Sequence, residues 1–354
     1  MNIKDLVRPE VLNLPTINAP EVSEGMIRMN ANESPASPWK KSNTIPLNRY
    51  PPIRPNLLTN EMAQFYGVSK NEILVSRGST EAVDTIIRTF CRPNIDSILV
   101  SPPTFDMYQF FANLNSVAFE EVPLRLENNF VLKIEDLTNA ITKKTKLIFI
   151  STPNSPCGSS TTNEDIRLIL EATKNSALVV VDEAYIEFSS FSSMINEINN
   201  YKNLIVLRTL SKAFSLAGAR CGSMIASAKV INFLKKISPP FSFSTPAINH
   251  IEKVLSSNDL DANNQQIKKI IAEREQLRQN LSNLPCVNKV WQSDGNFLLV
   301  KFYSNDAVLN MLHKHHILVG QIKNNKVLEN CLRITIGTPE ENSALIEALS
   351  LIDF

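Results

Sequence analysis

The chain turns on the stretch Leu204-Ile-Val-Leu-Arg-Thr-Leu-Ser-Lys-Ala-Phe-Ser-Leu-Ala-Gly-Ala-Arg-Cys-Gly222. Its first four residues, Leu204 to Leu207, form an apolar run that reads as a buried strand. The run breaks into Thr209, Leu210, Ser211 and Lys212, and a second apolar patch follows, with Arg220 between Gly218 and Gly222. A lysine among apolar neighbours is costly as an ammonium unless it is paired or neutral. One way to lower that cost is to bond the nitrogen to an aldehyde cofactor as an imine. A serine just before the lysine and an arginine eight residues after it suit a cofactor phosphate. A lysine that snorkels to solvent from a loop has the same local sequence, so the neighbouring segments must decide.

Working outward, short apolar runs alternate with helical patterning from residue 73 to about 226. The runs are Ile73–Val75, Ile98–Val100, Leu147–Ile150, Leu178–Val181, Leu204–Leu207 and Met224–Ala226. This pattern predicts an α/β fold with a mostly parallel sheet covered on both faces. In such a sheet ligands bind beyond the carboxyl ends of the strands, and the polar residues fall there. Arg77-Gly78-Ser79-Thr80-Glu81 follows the first run and opens a helix, as a phosphate cradle or as an ordinary capped start. Ser151-Thr152-Pro153-Asn154-Ser155-Pro156-Cys157-Gly158 follows the third, a stiff loop that fixes the Asn154 amide as a donor, or a plain Pro-rich turn. Asp182-Glu183-Ala184-Tyr185 follows the fourth. A carboxylate at a buried strand end needs a partner. Asp182 suits a protonated pyridine nitrogen and Tyr185 the same ring's hydroxyl, although an Asp capping the next helix is a rival. The joint reading of the set is a pyridoxal 5′-phosphate site.

Composition excludes other classes. The 354 residues are 43% hydrophobic and 20% charged, enough for one large domain and a smaller one. Thirty-six basic against 35 acidic residues leave no field for nucleic acid and no polybasic membrane segment. No apolar run approaches the roughly 18 residues that span a bilayer. The opening MNIKDLVRPE lacks a signal-peptide core, so the expected location is the cytoplasm. The five cysteines are scattered and odd in number, as reduced thiols are. His313, His315 and His316 read as the exposed end of a helix, with no metal expected. Residues beyond about 250 offer a long polar helix around Gln265–Leu284, strands at Phe297–Phe302 and Cys331–Ile336, and a closing helix. The expected division is an N-terminal arm over 1–35 that joins the smaller unit, a large domain over 36–248, and a small domain over 249–354.

These motifs resemble the fold-type I pyridoxal-phosphate aminotransferases, and within them the histidinol-phosphate aminotransferase family. The resemblance runs over nearly the whole chain. It rests on Asn30-Ala31-Asn32-Glu33-Ser34-Pro35, Asn48-Arg49-Tyr50-Pro51, Val75-Ser76-Arg77-Gly78 and Pro102-Pro103-Thr104-Phe105-Asp106-Met107-Tyr108. It continues through Asp182-Glu183-Ala184-Tyr185-Ile186-Glu187-Phe188, the Lys212 stretch and Leu332-Arg333-Ile334-Thr335-Ile336-Gly337-Thr338. It implies a seven-stranded, mostly parallel sheet with a smaller α+β domain, and a homodimer with its sites at the interface. Lys212 is then the residue that bonds the cofactor and moves the proton, Asp182 keeps the pyridine nitrogen protonated, and Tyr185 and Asn154 bind the ring oxygen. Ser79, Thr80, Ser211 and Arg220 surround the phosphate, joined by Tyr50 of the partner, and Phe105 stacks on the ring. Arg333 binds the substrate anion, with Asn32, Tyr50 and Asn154 on the substrate side. The reaction implied moves an amino group between glutamate or 2-oxoglutarate and histidinol phosphate or a related substrate.

The departures cluster on the substrate side. Gly320 and Thr16 stand where the family carries an arginine and a tyrosine tied to substrate. Thr80 stands where an aspartate is common, and Asn154-Ser155-Pro156-Cys157 replaces Asn-Asn-Pro-Thr. A different acceptor, aromatic or another 2-oxo acid, and a decarboxylase of the same fold therefore stay open.

Overall fold

The structure, a computed structural model, describes residues 2–17, 27–37, 47–256, 260–322 and 325–352. Its main sheet contains β1 (Ile73–Ser76), β2 (Ser97–Val100), β3 (Ala118–Glu121), β4 (Thr145–Ser151), β5 (Leu178–Asp182), β6 (Leu204–Thr209) and β7 (Gly222–Ala226). The spatial order is β1-β7-β6-β5-β4-β2-β3. Pairs among β2 to β6 are parallel, and β7 runs antiparallel between β1 and β6. All six apolar runs are strands. The seventh, β3, escaped the sequence reading because it is an edge strand, partly exposed, with two glutamates among its four residues.

Helices cover both faces, as the unbroken apolar strands require. They are α1 (Pro9–Leu12), α2 (Asn56–Tyr66), α3 (Gly78–Phe90), α4 (Met107–Leu114), α5 (Ile134–Asn139), α6 (Asn163–Thr173), α7 (Ala228–Ile237) and α8 (Thr245–Ser256). Alternation along β5 divides the core. Val179 and Val181 face Leu58, Met62, Ile166, Ile169 and Ile251 of α2, α6 and α8. Leu178 and Val180 face the opposite cluster, with Val83, Ile87, Tyr108 and Val230 of α3, α4 and α7. Each such side chain contributes about 1.5–3 kcal/mol by leaving water.

A second, antiparallel sheet has the order β10 (Gly320–Gln321), β11 (Cys331–Thr335), β9 (Phe297–Phe302), β8 (Val287–Val290). It packs on α9 (Leu260–Ser282), α10 (Asn305–Lys314) and α11 (Pro339–Ser350) through Leu277, Leu281, Val308, Leu312, Leu345 and Leu349. Thr338 caps α11 reciprocally with Glu341, and Pro339 opens the first turn. The histidine cluster lies at the exposed end of α10.

One expectation is corrected. The described start of the N-terminal arm joins the large sheet's packing, not the smaller unit. Ile3, Leu6, Val7 and Val11 are buried with Ile87, Val230 and Leu234, and the Arg8 amide donates to the Thr89 carbonyl. These apolar residues close the surface between α3 and α7, where burial is gained most directly. Residues 18–26 of the arm lie outside the described residues. Among the described residues no helix is long and apolar enough to cross a membrane.

Candidate active site

An open cleft of about 650 Å³ lies at the carboxyl ends of β4, β5 and β6 and the start of α3. Its lining includes Ser79, Thr80, Phe105, Ser155, Asp182, Tyr185, Ser211, Lys212 and Arg220. The parallel strands bring these ends together, so residues distant in sequence converge.

Asp182 ends β5 and is buried. The Tyr108 hydroxyl donates to its Oδ2 at 2.9 Å and the Ala184 amide to its Oδ1 at 3.2 Å. Burial pushes its carboxyl up to about 6, against the opposing pull of Tyr108, Ala184 and Lys212. Lys212 is open to the cleft, with Nζ 5.6 Å from the centre of the Tyr185 ring. Desolvation of its amine, followed by the nearby charges of Arg333 and Arg220, holds its pKa below the usual lysine range, while Asp182 pulls the other way. Tyr185 is shifted upward, chiefly by burial.

The cradle is built on close backbone approach. α3 begins at Gly78 with no side-chain cap, leaving its amide dipoles to the cleft. Gly78 has φ +75°, and a Cβ there would lie 2.8 Å from Nη2 of Arg220. A Cβ on Gly222 would lie 2.8–2.9 Å from the Gly78 backbone. Arg220 itself takes a left-handed backbone, φ 53°, and its Nη1 donates to Ser211 Oγ at 3.3 Å. A helix start, two hydroxyls and a guanidinium around one space fit a phosphate.

Four expected residues, Asn154, Tyr50, Asn32 and Arg333, are not part of this lining. Asn154 does not line this cleft: its Oδ1 accepts from Thr104 at 2.8 Å and its Nδ2 donates to the Pro103 carbonyl at 2.9 Å. These two bonds hold the amide against the loop of Pro103 and Thr104. Its neighbour Ser155 faces the cleft instead and accepts from Arg333 Nη1 at 2.8 Å. Tyr50 is exposed, 5.0 Å from the Phe241 ring, and Asn32 is exposed too, so neither lines this chain's own cleft. Tyr108, three residues after Phe105 in the same motif and in the first turn of α4, has no role assigned from the sequence.

Arg333, on β11, lies 5.7 Å from the Phe297 ring, and Phe297 packs edge-on against Tyr185 at 5.1 Å. Gly320 pairs directly with Arg333 across β10 and β11. A Cβ at 320 would lie 3.4 Å from Arg333 Nε, so the position where the resemblance expects an arginine stands beside Arg333.

A buried acid in need of a cationic partner, a loosely protonated amine and an anion cradle together meet the demands of a pyridine-aldehyde phosphate. Fold and cleft define a pyridoxal-phosphate-dependent transferase. The chain belongs to the aminotransferase class I and II family, whose pattern matches residues 23–349, and it is a pyridoxal-phosphate-dependent aminotransferase. It is 40% identical over 329 residues to histidinol-phosphate aminotransferase 1 of Pasteurella multocida, covering 93% of each chain. It is 39% identical over 351 residues to the histidinol-phosphate aminotransferase of Shigella flexneri, covering 99% of this chain and 98% of that one. Among solved structures, the histidinol-phosphate aminotransferase of Clostridium acetobutylicum superposes with TM-score 0.77 at 22% identity, covering 86% of this chain and 90% of that one. The Sinorhizobium meliloti enzyme in complex with pyridoxal-5′-phosphate gives 0.76 at 22% identity, covering 86% and 83%. At that identity these two structures speak for the fold.

Proposed function

We propose that the protein moves an amino group between glutamate and 2-oxoglutarate in one half-reaction and between histidinol phosphate and its keto form in the other. The observation that carries this reading is the meeting of Lys212, Asp182 and the Arg333-bound Ser155 in one cleft. Near-full-length identity to histidinol-phosphate aminotransferases supports the substrate.

When bound, pyridoxal phosphate supplies an aldehyde that takes up the amino group and a ring that accepts the electron pair left at the substrate carbon. The residues do the rest. Asp182 holds the proton on the ring nitrogen, with Tyr108 and the Ala184 amide orienting its carboxylate. Ser79, Ser211, Arg220 and the α3 start, which includes Thr80, hold the phosphate. Phe105 covers the ring, and Tyr185 meets the ring oxygen. The lowered pKa of Lys212 favours a neutral amine, the form able to take the proton from the substrate Cα. Arg333 binds the substrate carboxylate or phosphate. Tyr50 and Asn32, outside their own cleft, serve the cleft of a partner copy in a homodimer. Division into a cofactor-binding unit over 36–248 and a smaller unit over 249–354 belongs to the same reading, supported by the two separate sheets. The working location is the cytoplasm.

A second reading, a different 2-oxo acid as acceptor, is favoured by Gly320 opposite Arg333, since no second guanidinium stands there for a phosphate. The test is a screen of keto acceptors against the glutamate-loaded enzyme. The keto form of histidinol phosphate as the fastest acceptor supports the first reading, and a faster aromatic or aliphatic 2-oxo acid supports the second. If glutamate leaves the absorbance of the bound cofactor unchanged, or CO₂ is released with no acceptor present, both are wrong.

A further inference from the structure

Asn32 and Tyr50 stand on two segments, residues 27–37 and 47–55, that lie outside helices and strands. Side chains must therefore set where these segments point. One carboxylate ties the two together. Glu33 Oε1 accepts from the Tyr50 amide at 2.7 Å and from Arg28 Nη2 at 2.6 Å, and its Oε2 accepts from Arg49 Nη1 at 3.0 Å. The Glu33 side chain is 2% exposed. A carboxylate so buried needs cationic partners, and bonds to an ionised acceptor are stronger than neutral ones. Arg49 Nη1 also donates to the Arg28 carbonyl at 3.3 Å, and Asn48 Nδ2 to the Ser34 carbonyl at 2.9 Å. Residues on both sides of Glu33 are thus tied to the second segment. Asn32, beside Glu33, takes a left-handed backbone with φ 54°. The clamp is covered, while the two residues it holds, Asn32 and Tyr50, are exposed.

We propose that Glu33 is a positioning residue that acts in trans: it fixes Asn32 and Tyr50 of its own chain for the cleft of a partner copy and leaves its own cleft untouched. The inference rests on the homodimer reading above and deepens it. Glu33 holds the main chain of Tyr50 and not the ring, so the hydroxyl stays available to a phosphate. Pro51 and Pro52 stiffen the chain that follows. Arg28 and Arg49 balance the charge that lets the carboxylate stay buried between the segments.

The first readout is equilibrium binding to the full chain. Glu33→Ala lowers affinity for pyridoxal phosphate about tenfold, the loss of one hydrogen bond to a charged group. Affinity for pyridoxal, which lacks the phosphate, is unchanged. Equal losses for both ligands, or no loss for either, overturn the proposal. The second readout is a hybrid dimer, co-expressed from two differently tagged chains and purified through both tags. A hybrid of Glu33→Ala with Lys212→Ala has one cleft in which an intact lysine meets an intact clamp. It recovers about half of wild-type turnover, above either parent variant. A hybrid of Tyr50→Ala with Lys212→Ala recovers likewise and tests the dimer reading by itself. Recovery in the Tyr50 hybrid but not in the Glu33 hybrid overturns this inference and leaves the dimer reading standing. Failure of both, or no hybrid to purify, overturns the dimer reading and the inference with it. Glu33→Gln, which keeps the volume but loses the charge, is read in the same two ways if the alanine variant does not fold.

Discussion

The Tyr108 hydroxyl, buried beneath the main sheet's edge of the cleft, donates a 2.9 Å hydrogen bond to Oδ2 of Asp182. That bond stabilises the carboxylate, while burial opposes it and wins in the protein free of cofactor, leaving a pKa of about 6. A cationic ring nitrogen reverses the balance. Cofactor affinity therefore weakens as pH falls below about 6, because the free protein then holds a neutral Asp182. Equilibrium titration across about pH 5–7 checks this, roughly a unit either side of that value. Tyr108→Phe moves the transition to higher pH.

Stability of the cofactor-free protein responds to the same group. The folded pKa is raised from 3.8 to about 6, so the folded state binds the proton more tightly. As pH rises from about 4 through 6, the contribution of Asp182 to stability falls, by about 3 kcal/mol in all. Asp182→Asn removes that slope from denaturant melts in the same window.

Lys212→Ala removes the amine that faces Tyr185 and Asp182. Turnover falls by about 10³-fold or more. The absorbance band that depends on covalent attachment disappears, which a spectrum of the purified variant reads directly.

Gly320→Arg places a second guanidinium beside Arg333. The added Cβ meets the Arg333 carbonyl at 3.0 Å, so the strand gives by a few tenths of an ångström. Affinity for a phosphorylated substrate rises about 10- to 100-fold, the effect of one added charged contact. KM values for phosphorylated and unphosphorylated substrates, measured side by side, test it: equal changes in both would contradict the placement.

Gly222→Ala drives a Cβ into the Gly78 backbone at 2.8–2.9 Å. Neither strand nor helix start can yield without opening the cradle. The variant loses about 1–3 kcal/mol of stability by denaturant unfolding, and its cofactor affinity falls with it.

Strands β1, β2, β4, β5, β6 and β7 were legible because each is an apolar run buried on both faces. Strands β3, β8 and β10 were not, because they are edges of their sheets, partly exposed and polar. Lys212, Asp182, Ser211 and Arg220 follow those runs in sequence, and the fold brings them to one cleft.

The sequence alone determined the sheet, the strand ends and the chemistry gathered there, since burial of unbroken apolar strands forces polar residues to their termini. Only the tertiary structure decided which of two adjacent loop residues lines the cleft. Asn154 turns to Thr104 and Pro103, and Ser155 turns to Arg333, a residue 178 positions away. It also set Gly320 opposite Arg333 and Tyr108 beneath Asp182. Such choices depend on which hydrogen-bond partners the folded chain brings within 3 Å of a side chain, and sequence spacing carries no record of that distance.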